Sequence, residues 1–138
     1  NIISYDASGN PVAVATGTSG QVLTSAGAGA VPTFADAAGG GTDWQAVKTS
    51  GFTAVAGEGY FCNTTSAAFT LTLPASPSIG DEVSFIDYAG TFDSNALTIG
   101  RNSQPIQGAA ADLTVSVERA ANTLVYVDGT QGWLLTSK

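Results

Sequence analysis

From Trp44 onward, apolar residues recur at every second position in short runs, and that period of two decides the secondary structure. Phe69, Leu71 and Leu73 alternate with Thr70 and Thr72, while Leu113, Val115 and Val117 alternate with Thr114 and Ser116. Successive side chains of a strand point to opposite faces, so each run has one apolar and one polar side, as half-buried strands of an antiparallel sheet do. Further strand-like runs lie at 44–48, 59–63, 82–87, 97–99, 123–127 and 133–136, with no helical period between them. Pro74, Pro77 and the Gly80-Asp81 pair mark a corner, because proline gives no donor to a ladder and Gly-Asp suits a turn. Asp128-Gly129 reads as a hairpin turn before the last run at Trp133. Seven or eight such strands predict an all-β chain whose residues 44–138 form a small antiparallel β-sandwich or compressed-barrel head.

The composition changes near Asp43. Residues 1–43 are rich in Gly, Ala, Ser, Thr and Val, with Ile2, Ile3, Tyr5, Leu23 and Phe34 as the larger hydrophobes. So few bulky groups cannot offset the entropy of ordering the segment by itself. It is expected to be an extended arm or stem, either disordered or ordered by other chains. Val12-Ala13-Val14-Ala15 and Val22-Leu23 suggest short extended pieces, separated by Gly17, Gly20 and a turn region at Gly27 and Gly29. Gly39-Gly40-Gly41 reads as a flexible joint. An intertwined β-rich stem built from several copies would bury what one copy cannot, and a dimer serves this purpose nearly as well as a trimer.

With 138 residues and 43% apolar content, the chain can build one modest core and no large catalytic fold. Only 11% of residues are charged, well below the usual ~25%, so much of the surface is expected to face protein. The net charge is −7, and the basic residues Lys48, Arg101, Arg119 and Lys138 stand apart from one another, which argues against nucleic-acid binding. No apolar run is long enough to predict membrane insertion, and no signal-peptide pattern opens the sequence. Methionine is absent even at position 1, as expected of a processed form or part of a longer polypeptide. Cys62, the only cysteine, is expected to be a small buried hydrophobe.

The chain has no histidine, which removes hydrolase triads, His-containing zinc sites and imidazole proton shuttles. The carboxylate pairs Asp81/Glu82, Asp87/Asp93 and Glu118/Asp128 could in principle serve glycoside hydrolysis, but adjacent strand residues face opposite ways and the domain has little room for a cleft. Asp87, Asp93, Asn95 and Asp128 are oxygen ligands of the kind calcium takes, yet they match no EF-hand spacing and read better as turn caps. No Gly-Lys-Ser/Thr follows the glycine-rich stretches, so they are not phosphate loops. The expectation is a protein that is not an enzyme, with no cofactor and no metal. Most of the aromatics belong to core or subunit interface; Tyr88 and Phe92 flank Gly90 in a loop and are the better candidates for contact with a ligand. The nominated surface-contact residues are Tyr88, Thr91, Phe92 and Asn95.

Several strings resemble known virion proteins. "GTSGQVLTSAGAGAVPTF", Gly17 to Phe34, resembles a stem segment repeated across tail-fibre and other virion structural proteins of tailed bacteriophages. "FTLTLPASPSIGDEVSFID" (Phe69 to Asp87), "NALTIGRNSQPIQG" (Asn95 to Gly108) and "LVYVDGTQGWLL" (Leu124 to Leu135) resemble a domain of marine and cyanobacterial phage fibre-like proteins. The resemblance implies a homotrimeric fibre component of the virion, a slender stem with a globular head, and transfers no catalytic residues. Its expected partners are other copies, other virion proteins and a host cell-surface glycan or protein. The alternative is a capsid decoration or other assembly protein that touches no receptor. A polysaccharide-degrading tailspike would call for a longer chain with a parallel β-helix and an acidic cleft.

Overall fold

The computed structural model describes residues 2–37 and 41–136; of the expected joint, Gly39 and Gly40 lie outside the described residues. The protein is all-β, with no helix among the described residues, and divides into a unit ending at Gly40 and a unit beginning at Gly41.

The first unit consists of two antiparallel hairpins. Strand β1 (Ile2–Tyr5) pairs with β2 (Pro11–Val14), and β3 (Gln21–Thr24) pairs with β4 (Thr33–Asp36). The extended pieces expected around Val12 and Val22 are thus present, each with a partner strand that the composition did not mark. The first turn is fixed by Asp6, whose Oδ1 accepts the amides of Ser8 and Asn10 at 2.8 and 2.9 Å, and by Gly9 in the left-handed region. Phe34 packs against Gly17, where a Cβ would sit 2.6 Å from the ring.

The second unit alternates between two sheets as the chain advances. Strands β5 (Asp43–Trp44), β7 (Glu58–Cys62) and β9 (Glu82–Asp87) run parallel in one sheet; β6 (Phe52–Thr53), β8 (Phe69–Thr72) and β10 (Leu97–Gly100) run parallel in the other. The result is a short two-sheet winding. Antiparallel strands complete it: β11 (Leu113–Val115) beside β10, then β12 (Ala121–Tyr126) beside β9 and β13 (Trp133–Leu135) beside β12. The final orders are β13-β12-β9-β7-β5 and β11-β10-β8-β6. The expectation of antiparallel sheets is therefore corrected: both are mixed, because every step from β5 to β10 changes sheet and brings the chain back in the same direction.

Alternation then builds one core between the two sheets. Tyr60, Cys62, Val83, Phe85, Leu124 and Trp133 from one sheet meet Leu71, Leu97 and Ile99 from the other, and all are buried. Leu113 and Val115 are half-buried as expected, but Val117 is 67% exposed because its strand ends at Val115. Trp133 lies edge-on to Tyr126, with ring centroids 5.5 Å apart.

The corner at Gly80-Asp81 forms as expected: Gly80 has φ 89° and Asp81 Oδ2 accepts the Ser78 amide at 2.9 Å. The last hairpin is longer than a two-residue Asp128-Gly129 turn. Asp128 Oδ1 caps the amides of Thr130 and Gln131, and Gly132 carries the positive φ of 70°. A Cβ on Gly132 would lie 1.8 Å from the Pro105 carbonyl oxygen, whereas one on Gly129 would meet open space. Gly132→Ala is therefore expected to cost at least about 2 kcal/mol, and Gly129→Ala to stay within about 0.5 kcal/mol, as read from urea unfolding midpoints.

Candidate functional site

Strand β9 is the central strand of its sheet, and the loop that follows it carries all four nominated contact residues. The loop is organised by Asp87, a carboxylate 1% exposed at the strand's end. Its Oδ1 accepts the amides of Gly90 at 3.0 Å and Thr91 at 3.1 Å; its Oδ2 accepts those of Phe92 at 3.2 Å and Arg119 at 3.0 Å. Burial pushes the Asp87 carboxyl up, but these four N–H donors outweigh it and hold the group below the usual carboxylate range.

Further bonds hold the loop to its neighbour between β7 and β8. The hydroxyls of Thr91 and Thr64 lie 2.8 Å apart, and Asn95 Nδ2 donates to the Thr64 carbonyl at 2.9 Å. Arg119 Nη1 donates to the Tyr88 carbonyl at 3.0 Å, and its guanidinium lies on Gly90, where a Cβ would be 2.7 Å from Nε. Gly90 provides both the room and the φ of 69°.

The nominated residues separate into three roles. Tyr88 is 51% exposed and presents its ring outward. Thr91 and Asn95 are half-buried, and their side chains staple the loop. Phe92 corrects the expectation of a surface contact: it is 0% exposed and belongs to the core. Folding back onto Asp87 turns the Phe92 side chain inward, so the largest apolar group of the loop plugs the core. The accessible surface is made instead by Tyr88, Arg119, Asp93 and Ser94. Arg119 was missed as a site residue; its contacts with Asp87, Tyr88 and Gly90, about 30 positions away in sequence, are visible only in space.

Chemically, this is a rigid display of a phenol, a guanidinium and a carboxylate. Of the six carboxylates singled out in the sequence, Asp81, Asp87 and Asp128 cap turns, each accepting backbone amides. Among the described residues, no group of three or more His, Cys, Asp or Glu side chains is placed to hold a metal ion. Cys62 is buried, and that burial, with the Asp87 charge beside it, pushes its thiol up to about 12 although Lys48 opposes the shift.

Two measurements test this geometry. Asp87 has a folded pKa below its unfolded value of about 3.9, so its contribution is complete above that value and is lost as the pH falls through the lowered folded value. Asp87→Asn is expected to cost about 2–4 kcal/mol at pH 7, and its gap from the wild type in urea midpoint is expected to narrow at acid pH. A thiol reagent at neutral pH is expected to leave Cys62 unmodified in the native protein and to label it fully once the chain is unfolded.

Neither a protein-family model nor a curated protein matches this chain.

Proposed function

We propose that the chain is a structural protein of a bacteriophage virion, a trimeric tail fibre or fibre-like appendage that takes part in attachment to the host surface. In this reading the hairpin unit is the stem, and the second unit is a β-sandwich head that displays a fixed loop around Tyr88 and Arg119. The head works as an adhesive part and not as a catalyst. Repetition around the assembly sums weak contacts into avidity.

The observation that carries this reading is the surface of the hairpin unit. Ile2, Ile3, Tyr5, Val22 and Leu23 are between 46% and 64% exposed, although they are most of the large hydrophobes the unit has. Two-stranded hairpins are marginal in water, and apolar side chains gathered on them mark a surface meant to be covered. Other copies can cover it without any new sequence. The stem-like string from Gly17 to Phe34 lies within this unit, over its second hairpin.

Light scattering on the full chain is expected to give three times the mass of one copy. Ile3→Asp combined with Leu23→Asp is expected to lower that mass while tryptophan emission from the head stays native. A wild-type monomer would contradict the fibre reading and favour a decoration protein ordered on its particle.

A further inference from the structure

Arg119 is a cation held in place with its outer edge free. Its backbone amide is tied to Asp87 at 3.0 Å, its Nη1 donates to the Tyr88 carbonyl at 3.0 Å, and its guanidinium lies along Gly90, where a Cβ would be 2.7 Å from Nε and 3.2 Å from Nη2. Lys48, by contrast, has its ammonium over the rings of Phe52 and Tyr60 at 5.1 and 5.9 Å. Among the described residues no carboxylate forms an ion pair with Arg119 and no acceptor takes Nε or Nη2, although the chain has 11 acidic residues. An exposed guanidinium fixed in this way has lost most of its rotamer freedom before a ligand arrives, which removes part of the cost of binding.

The backbone that Arg119 bonds also carries the Tyr88 ring, which is 51% exposed. The planar fork of a guanidinium matches a carboxylate, and a phenol ring offers an apolar face to the C–H side of a pyranose. We propose that Tyr88 and Arg119 form a subsite for an acidic sugar, with the ring packed on the pyranose and the guanidinium paired with its carboxylate. A peptide would look for a second apolar anchor in this loop, and Phe92, its other large apolar side chain, is 0% exposed. Thr91 and Asn95 are engaged with Thr64 and leave the ring and the guanidinium to make the contact. The inference deepens the attachment role and rests on it for the source of the sugar, the host surface.

The net charge of −7 repels an anion at long range, but salt screens that field beyond about 8 Å. The groups that matter are local. Asp93 and Glu118 are exposed on the same two loops and form no ion pair with Arg119, so they oppose an anionic sugar without blocking the fork. An ion pair at an exposed site is weak, so each head binds feebly and several copies together supply the hold.

Titration of the full chain with sodium glucuronate, followed by backbone-amide NMR, tests the subsite. Saturable shifts are expected at Tyr88, Ala89, Gly90 and Arg119, with affinity lowered several-fold in Tyr88→Ala and in Arg119→Lys. Tyr88→Ala keeps the carbonyl that Arg119 bonds, so it removes the ring without releasing the loop. Glucose, which lacks the carboxylate, is expected to bind several-fold more weakly, and Asp93→Asn with Glu118→Gln is expected to tighten glucuronate binding. Glucose binding as tightly as glucuronate would overturn the acidic class, as would weaker glucuronate binding in the Asp93→Asn, Glu118→Gln variant. Acetate binding as tightly as glucuronate, with no dependence on Tyr88, would show an adventitious ion only and overturn the subsite. No saturable shift in a trimeric wild type would remove the subsite and leave the fibre reading standing. Tyr88-dependent glucuronate binding by a monomer would support the subsite and contradict the fibre.

Discussion

A buried carboxylate held by four backbone amides anchors one end of the head's core. Asp87 ends the middle strand of the larger sheet, and its two oxygens tie that strand to the following loop and to the turn before β12. The loop could not otherwise place Phe92 in the core while leaving Tyr88 outside. Amide donors converging on one oxygen pair favour the charged form strongly enough to outweigh the cost of burying it. Stability and display are thus coupled: the group that fixes the loop also closes one end of the core.

The apolar surface is distributed unevenly. The core between the sheets is closed and one outward face is covered with threonines, yet the hairpin unit keeps Ile2, Ile3, Tyr5, Val22 and Leu23 in contact with water. The apolar side chains gathered on the hairpins differ from ordinary scattered exposure.

Much of this was legible in the sequence. The alternation in Phe69 to Leu73 correctly gave the buried faces of Leu71 and Leu73, and the Gly80-Asp81 corner formed where proline and glycine marked it. Strand direction was not legible. Phe69-Thr70-Leu71-Thr72 has the same period whether its neighbours are parallel or antiparallel, and the winding that makes them parallel depends on β9 passing through the opposite sheet. Strand β6, two residues long, is too short for any period to show. Within the candidate site, Tyr88 was legible as an exposed aromatic, whereas Phe92 was misplaced because a glycine-flanked loop position was equated with exposure. What decides its burial is the side chain of Asp87, and no local pattern announces that a loop folds back onto its own carboxylate.

The central claim is that the apolar surface of the hairpin unit is covered by other copies. Amide hydrogen exchange on the full chain tests it most directly, since a two-stranded hairpin alone opens with little free energy. The prediction is that the amides of β1 to β4 are protected to a degree comparable with the strands of the head. Exchange of those amides at the rate of unstructured peptide, while the head stays protected, would contradict it.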